Sequence, residues 1–457
     1  MNMSWIPRFI LMLVAIPAFM AAQGNLVSGP MLGHQAKREA TIWLETEEAK
    51  HVTLTYWPSD QPEQKKSFTK RRLRPTPIAK QPMKFILPLL EPGQSYDYSI
   101  MIDKVLQKFD YPLTFKTQTL WEWREPPPEF SFLFGSCTYI NDAAYDRPGT
   151  PYGKGTAIFQ HMAETEADFM IWGGDNLYLR EVDFDSEGGI WYRYSHDRAV
   201  PDMQKLFAAM PHYAAWDDHD FGPNNSNRSY SLKDTTLKAF TSYWANPSWG
   251  EPDNPGTYGQ FTHGDAAFFL MDNRYHRDSD ELSSEELGRM KTQYGQQQRE
   301  WLKQALLSAK ALRHFTFKFI VTGGQMITNF GGQSESFGLY PEEREDILNF
   351  IVKHDITGVV FLTGDVHFTE LARKKVTETQ WIYELTSSPM SSGAWSGVGK
   401  SDRVNDPQRV ENTLVADQNF TKLTISGPKN ARVLTITCID KTGEVRWTRD
   451  IPATDLQ

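Results

Sequence analysis

The chain has 457 residues, a formal net charge of −9 and two cysteines. The length allows two domains, one of them large, whereas the acidic balance argues against a nucleic-acid-binding surface. Two cysteines are too few for a disulfide scaffold. The aromatic share of 13% is typical of a β-rich protein outside the cytoplasm.

Residues 1–22 have the pattern of an export signal. Arg8 supplies the positive end, residues 9–18 form an apolar run, and residues 20–22 are the small residues of a cleavage site. The apolar run is too short to span a membrane, and no cysteine follows it to carry a lipid. We therefore expect an extracytoplasmic protein, periplasmic or secreted, without a stable membrane anchor.

Residues 25–119 alternate apolar and polar side chains between turn signals, for example over 52–57 and 96–102. Short strands with regular turns and no helical period are typical of an antiparallel sandwich. We therefore expect a fibronectin-like β-sandwich domain over residues 25–119. The proline-rich segment 121–128 then predicts a stiff linker.

From residue 130 onward, apolar strands are interleaved with amphipathic helices. The helices are predicted over residues 156–166, 284–310 and 341–352. This pattern predicts an α/β catalytic domain over residues 130–457. In such domains, the loops at the C-terminal ends of the strands build the site.

Four short apolar strands lead directly into side chains that bind metals. The strands and the residues that follow them are 130–134 with Cys137, 168–172 with Asp175 and Tyr178, 213–216 with Asp218, and 359–363 with Asp365 and His367. Carboxylate and imidazole ligands on a rigid frame suit hard or borderline cations. The sequence therefore predicts a metal centre where these strands end.

Cys137 and Tyr178 each have an alternative role. Cys137 is either a buried small residue or a thiolate ligand to a soft or ferric metal. Tyr178 is either a packed aromatic residue or a phenolate ligand, which requires a strongly Lewis-acidic ion because a free phenol has a pKa of about 10. A disulfide with Cys438 is a further alternative, although Cys438 lies in an alternating strand that suits a buried apolar residue.

The run 217–220 places three carboxylates around His219. Successive loop residues cannot all bind one ion, so we expect Asp218 to be the ligand. His219 is then expected near the substrate, held by Asp217 or Asp220, where it stabilises the transition state or protonates the leaving group.

Two further positions are candidates for contact with a phosphate group. Asn224 or Asn225 supplies either a neutral metal ligand or a phosphate contact. Arg274 follows another apolar strand and either clamps phosphate oxygens or forms a salt bridge with Asp272 or Asp278.

Taken in order, these motifs resemble the alkaline phosphatase D (PhoD-like) family of calcineurin-like metallophosphoesterases. The motifs that carry the resemblance are Ser136-Cys137, Gly174-Asp175-Asn176-Leu177-Tyr178, Trp216-Asp217-Asp218-His219-Asp220, Gly324-Gln325 and Gly364-Asp365-Val366-His367. The resemblance implies a four-layer αββα catalytic domain after the N-terminal sandwich. It also implies a ferric iron (Fe3+) and a second divalent ion, which is calcium (Ca2+) in family members.

The resemblance assigns the ligands by position. The iron ligands would be Cys137, Asp175, Tyr178 and His367. The ligands of the second ion would be Asp175 as a bridge, Asp218, Asp365 and, as a further candidate, Asn224. The second ion is either calcium or another divalent metal.

A two-metal site predicts hydrolysis of a small phosphate ester or phosphodiester, with hydroxide held by the metals attacking phosphorus in line. The candidate catalytic residues are His219, Arg274 and Asn224. One alternative is a phosphodiesterase or phospholipase that acts on envelope polymers or lipids. The other is a catalytically inactive surface-binding protein that binds through its N-terminal sandwich.

Overall fold

The computed structural model describes residues 24–71, 75–328, 336–395, 397 and 406–457. The predicted export signal, residues 1–22, lies outside these ranges. Within them, no helix combines the length and the apolar character needed to cross a membrane.

Two antiparallel sheets form the N-terminal part of the chain. One has the strand order β1-β2-β5, and in the other β4, β3, β6 and β7 are neighbours and β8 pairs with β6. Their bounds are β1 Asn25–Gln35, β2 Glu39–Glu47, β3 His51–Pro58, β4 Lys66–Arg71, β5 Lys80–Pro88, β6 Ser95–Ile102, β7 Val105–Leu106 and β8 Thr114–Lys116. Burial alternates along β3 and β6, so the sequence alternation that predicted strands here reflects one face turned to the core.

Two six-stranded mixed sheets follow, with strand orders β11-β10-β9-β18-β19-β20 and β12-β13-β14-β15-β17-β16. The strands of the first sheet are β9 Phe130–Gly135, β10 Phe169–Gly173, β11 His212–Ala215, β18 Asn419–Ser426, β19 Val433–Asp440 and β20 Val445–Pro452. Those of the second sheet are β12 Gly259–His263, β13 Ala266–Leu270, β14 Phe317–Val321, β15 Val359–Thr363, β16 Glu370–Lys375 and β17 Trp381–Thr386.

Eight α-helices lie in the described part of the chain. They are α1 Ile158–Glu164, α2 Glu187–Arg198, α3 Pro201–Ala209, α4 Asp218–Phe221, α5 Lys233–Tyr243, α6 Ser284–Leu287, α7 Gln296–Ala311 and α8 Pro341–Lys353. Helices α1, α2, α3 and α5 share a hydrophobic core with the outer face of the first sheet. Helices α7 and α8 cover the second sheet in the same way.

An aromatic core fills the space between the two six-stranded sheets. The rings of Phe132 and Phe169 stack with centroids 5.0 Å apart, and those of Phe268 and Phe319 do the same at 5.0 Å. Helix, sheet, sheet and helix therefore form four layers. The predicted fold class, α/β with an N-terminal antiparallel part and a four-layer αββα unit, is confirmed.

The helix predicted over residues 284–310 is wrong as a single element, because the chain forms the separate helices α6 and α7 there. Gly288 ends α6 with a φ of +62°, and Gly295 precedes α7 with a φ of +77°. Left-handed backbone at these glycines cannot continue a right-handed helix.

The sheet β1-β2-β5 also packs against the helices of the αββα unit. Trp43 in β2 is fully buried in the core that includes Tyr243 of α5, and its indole N–H donates to the Ser242 carbonyl (2.9 Å). The buried Glu45 carboxylate accepts hydrogen bonds from Ser195 Oγ (2.9 Å) and from the Tyr243 hydroxyl. The N-terminal part and the helices thus share one core.

Both cysteines are free thiols. Cys438 lies in β19 and is fully buried, as its alternating strand predicted, and Cys137 is buried at the exit of β9. The alternative of a disulfide between them is therefore wrong in this structure.

Candidate metal centre

The strand exits of both six-stranded sheets meet at one edge. Strands β9, β10 and β11 run parallel in one sheet, and β13, β14 and β15 run parallel in the other, so their C-terminal ends point the same way. The two edges are in contact, since a Cβ on Gly364 would lie 3.1 Å from the Gly173 carbonyl oxygen. The predicted juxtaposition of the strand-exit motifs is therefore observed.

Cys137, Asp175 and His367 form one potential ligand group, with one ligand atom of each within 4.8 Å of the others. The Cys137 sulfur lies 3.7 Å from Asp175 Oδ2. The Tyr178 hydroxyl lies 3.1 Å from His367 Nε2, which adds a fourth donor. These are the four residues that the resemblance assigns to iron.

The hydrogen bonds of His367 fix the orientation of its ring. Its Nδ1 lies 2.5 Å from the Gly393 carbonyl oxygen, which can only accept, so Nδ1 carries the proton. The lone pair is then on Nε2, which faces Tyr178. A backbone acceptor behind a histidine is the usual arrangement that orients a metal ligand.

Two further groups form a chain of shared residues with the first. Asp175, Asp218 and His219 form one, and Asp217, Asp218 and Asp365 form the other. Asp175 is therefore shared by the first two groups and Asp218 by the last two. Overlapping groups of this kind can hold neighbouring cations through shared carboxylates.

The backbone is left-handed at four of these positions. The φ angles are +61° at Cys137, +50° at Asp175, +68° at Asp365 and +58° at His367. Non-glycine residues adopt this conformation rarely, and it is concentrated at functional sites because the surrounding fold has to maintain it. All four residues belong to the ligand groups.

Burial and mutual repulsion control the protonation of the carboxylates. Burial, reinforced by the charge of Asp218, raises the pKa of Asp175 well above its usual range. Burial and the charges of Asp217 and Asp218 raise the pKa of Asp365 to about 7. Such carboxyl groups exchange their protons readily for a cation.

Asp218 is shifted the other way. Burial alone would raise its pKa, but His219, Arg274 and the Asn225 N–H (2.8 Å from Oδ2) lower it to about 2. Asp218 is therefore ionised at neutral pH, and it belongs to two of the three ligand groups.

Arg274 lies fully buried behind the site. Its guanidinium pairs with Asp217 through Nε and lies 3.6 Å from Asp218 Oδ1. The salt-bridge alternative predicted Asp272 or Asp278 as the partner, and this is wrong. The Arg274 side chain instead lies against Asp217 and Asp218, which follow β11. The Arg274 backbone N–H donates to Asp272 Oδ1 (3.0 Å).

His219 is oriented by Asp218 and Tyr178. Its Nε2 lies 3.8 Å from Asp218 Oδ2, and its ring lies 4.1 Å from the ring of Tyr178. The expectation that Asp217 or Asp220 holds His219 is wrong, because both carboxylates form the capping box of α4. The imidazole remains partly exposed at the mouth of the site, with a side-chain exposure of 22%.

Asn224 and Asn225 lie on the exposed loop after α4. The Asn224 amide donates to the Asn225 side chain, and the Asn225 backbone N–H donates to Asp218.

The donor set fits a pair of cations. Asp217 Oδ2 and Asp218 Oδ1 are buried, and neither has a hydrogen-bond partner among the described residues. Four carboxylates face two arginines, Arg274 and Arg277, and two imidazoles whose pKa values burial lowers. This excess of buried negative charge and acceptor atoms is what bound cations would neutralise.

Sequence reasoning missed two residues at the site. Asp217 belongs to a ligand group, and only the direction of its side chain at the start of α4 reveals this. Tyr152 lies in an irregular loop with no sequence signal, yet its hydroxyl is 3.1 Å from His367 Nδ1. Its ring is 44% exposed and borders the open side of the centre.

Two family matches cover most of the chain. Residues 132–435 match the family described as PhoD-like phosphatase, and residues 23–117 match a domain of unknown function, DUF7800. The alkaline phosphatase D of Bacillus subtilis (strain 168) is 25% identical over 366 residues, which are 71% of this chain and 59% of that protein. The chain thus spans less than two thirds of the length of this relative.

Solved structures support the same fold. A structure of PhoD superposes with a TM-score of 0.73 at 18% identity, covering 95% of this chain and 93% of the other. A purple acid phosphatase from yellow lupin (Lupinus luteus) seeds superposes with a TM-score of 0.65 at 13% identity, covering 93% and 74%. The family predicted from the strand-exit motifs is confirmed: the chain belongs to the PhoD-like phosphatases.

Proposed function

We propose that the protein is a metal-dependent hydrolase of phosphate esters, of the alkaline phosphatase D type. The observation that carries this proposal is the set of three overlapping ligand groups at the joined strand exits. Family membership supports the same reaction class, since the curated relative is named an alkaline phosphatase.

The residues divide into two ligand sets. We assign Cys137, Asp175, Tyr178 and His367 to one cation, and Asp218 and Asp365 to the second, with Asp175 shared. Asp217 is added to the second set, because its free Oδ2 is buried beside Asp218 and Asp365. When bound, the two cations would acidify water and neutralise charge on the phosphoryl oxygens.

His219 is the proposed proton donor to the leaving group. Its ring is partly exposed and contacts Asp218 and Tyr178, so it faces the open side. Burial lowers the pKa of His219, and the charge of Asp218 opposes this shift. Asn224 lies exposed at the same mouth, where its amide would reach a phosphate oxygen.

Arg274 has a different role from the predicted phosphate clamp. Its guanidinium is fully buried and pairs with Asp217, which also accepts from the Asn273 amide (2.8 Å). We assign Arg274 to positioning the Asp217 and Asp218 carboxylates and to offsetting their repulsion.

The first ligand set favours ferric iron. Burial raises the pKa of the Cys137 thiol to about 12. It also raises the pKa of the Tyr178 phenol well above its usual range. Only a strongly Lewis-acidic ion deprotonates both groups near neutral pH. The second set contains only carboxylates, which suit calcium or another hard divalent ion.

The remaining proposals concern organisation and location. We assign residues 25–119 to an N-terminal sandwich domain and residues 130–457 to the catalytic domain. The sheet bounds and the matches over 23–117 and 132–435 support this division. Residues 1–22 are proposed to export the protein from the cytoplasm, and its substrates are proposed to be small phosphate monoesters or diesters.

The deciding experiment combines metal analysis with turnover. The purified protein is expected to contain about one iron and at least one further cation, with a visible tyrosinate or thiolate charge-transfer band. Tyr178→Phe should shift or remove the band. Asp175→Ala and His367→Ala should abolish hydrolysis of an aryl phosphate, and relative rates on mono- and diesters should define the substrate class.

Surface variants provide the matched controls. Asp110→Ala and His51→Ala remove the same residue types from exposed positions and should leave metal content and turnover unchanged. Circular dichroism should show that Asp175→Ala and His367→Ala retain the fold. Full activity in either ligand variant would refute the assigned metal centre.

A further inference from the structure

A basic segment interrupts this acidic chain. Between Glu63 and Glu91 the sequence contains no Asp or Glu. The Lys and Arg residues of this interval are Lys65, Lys66, Lys70, Arg71, Arg72, Arg74, Lys80 and Lys84. A run of positive charge in a chain with a net charge of −9 indicates a separate interaction with an anion.

The structure places part of this segment on the open edge of a sheet. All six residues of β4 are exposed, and in the described chain β4 pairs only with β3. The other edge of β4 is therefore available to a ligand. We call β4 together with Lys65 the basic edge.

Among the described residues, the cations of the basic edge have no acidic partners. No carboxylate of the described residues lies within salt-bridge distance of Lys65, Lys66, Lys70 or Arg71. Lys65 instead lies over the ring of Trp57 (4.7 Å) and Lys70 over that of Phe85 (5.7 Å). These contacts orient the ammonium groups without neutralising their charge.

The edge strand β16 provides a comparison within the same molecule. It also carries consecutive cations, but Lys374 lies 3.7 Å from Glu345 and Lys375 lies 3.9 Å from Glu378. Lysines on an edge strand prevent unwanted strand pairing, and paired lysines serve that purpose. The charge of β4, unlike that of β16, is therefore not offset by neighbouring carboxylates and is available to a bound anion.

We propose that the basic edge binds a linear polymer that carries phosphate groups. A strand rises by about 3.3 Å per residue, so Lys66 and Lys70 are about 13 Å apart along one line. Lys66 and Lys70 lie on one face of the strand and Arg71 on the other, so a chain lying along the edge reaches cations of both faces.

A flat anionic surface fits this arrangement less well. A membrane would meet the cations of only one face of the strand, and the acidic remainder of the protein would be repelled from it. An extended chain needs contact with the strand alone. The sandwich, which matches a domain of unknown function, would then hold a polymeric ligand on the same molecule as the metal centre.

The test measures binding of a short fluorescent polyphosphate to the full-length protein by anisotropy across a salt series. Lys66→Gln/Lys70→Gln/Arg71→Gln should weaken binding at least ten-fold. It should also flatten the salt dependence by about two to three charges, because each phosphate contact releases roughly 0.7–0.9 counterion. The matched control Arg373→Gln/Lys374→Gln/Lys375→Gln, which removes as many charges from β16, should bind as the wild type does.

Further arms keep the outcome decisive. Lys66→Arg/Lys70→Arg preserves the charge and should retain binding, which separates loss of charge from damage to the strand. The proposal is overturned if polyphosphate does not bind, if both Gln variants weaken binding equally, or if anionic vesicles bind more tightly than polyphosphate. Because binding is measured without turnover, its failure would leave the proposed hydrolase untouched.

Discussion

At the scale of single residues, the buried His212 links the fold to pH. The Trp172 indole N–H donates to its Nδ1 (3.0 Å), and its Nε2 faces the Leu206 carbonyl (2.9 Å), so the ring is neutral with its proton on Nε2. Burial lowers its pKa to about 3. Protonation would place a second donor against the indole N–H.

The sign of the resulting pH dependence follows from this lowered pKa. A histidine in the unfolded chain has a pKa of about 6.5. Below that pH the unfolded state therefore binds a proton that His212 in the folded state does not bind. The free energy of unfolding should therefore fall by about 1.4 kcal/mol per pH unit from pH 6.5 toward pH 3 through this residue. Urea unfolding from pH 7 to pH 4 measures it.

The variant that tests this is His212→Gln, which should reduce the pH slope by about one proton. Identical slopes for the wild type and His212→Gln would contradict the prediction.

Gly323 illustrates how little space surrounds the carboxylates. A Cβ at this position would lie 2.1 Å from Asp217 Oδ2 and 2.7 Å from the Asn273 amide nitrogen. Asp217 is fixed by Arg274, so Gly323→Ala should displace the ligand and lower kcat at least ten-fold. Gly188→Ala, where no atom lies within 4 Å, is the control. Normal turnover and second-cation content in Gly323→Ala would contradict this account.

The limits of sequence reasoning are visible at this scale. Asp365 and His367 could be predicted because a parallel strand delivers both to one edge. The run 217–220 could not be resolved, because Asp217 and Asp218 belong to a ligand group while Asp217 also forms the capping box of α4 with Asp220. Those directions depend on Arg274, which is 57 residues away in the chain from its partner Asp217.

At the scale of elements, Asp220 ties two strand exits together. Its Oδ1 accepts from the Asn176 N–H (3.0 Å) after β10, and its Oδ2 accepts from the Asp217 N–H (2.9 Å) after β11. Asp220→Ala leaves two buried N–H groups without partners. It should lower the free energy of unfolding by about 2–4 kcal/mol.

The conservative variant Asp220→Asn keeps one acceptor oxygen and should cost less than Asp220→Ala. Because Asp175 and Asp218 flank the joined loops, both variants should also reduce metal content in proportion to the loss of stability. Denaturant unfolding and metal analysis on the same preparations test this. Wild-type stability in Asp220→Ala would show that the two exits are held by other contacts.

Element positions were predictable where burial imposed a period. The strands that lead to the site are continuous apolar runs, because each is covered on both faces. The interval 288–295 was not predicted, because a helical period continues on either side of it and only Gly288 and Gly295 mark the break. Isolated glycines are tolerated in helices often enough to hide such a break.

At the scale of the whole molecule, the sheet β1-β2-β5 shares a hydrophobic core with the helices of the αββα unit. Met31 and Trp43 belong to the same hydrophobic cluster as helices α2, α3 and α5. A fragment of residues 130–457 would expose this face and is expected to aggregate or to lack a cooperative unfolding transition. A soluble fragment that unfolds cooperatively would contradict this prediction.

A milder variant probes the same interface in the full chain. Tyr243→Phe removes one hydrogen bond to buried Glu45 and should lower the free energy of unfolding by about 1–3 kcal/mol. Its turnover per folded molecule should be unchanged, because the interface lies away from the ligand groups. Tyr145→Phe, at an exposed ring, is the control and should have no effect on stability.

The hydrogen bond from Trp43 to Ser242 joins positions that are 199 residues apart in the chain. During synthesis, the apolar face of the sheet β1-β2-β5 therefore stays exposed until helix α5 has been synthesised. Contacts between such distant positions also slow folding, because a long loop must close before they form. Refolding should consequently be slow and sensitive to protein concentration. A chain that is moved across a membrane before it folds would need protection from aggregation with other copies of itself.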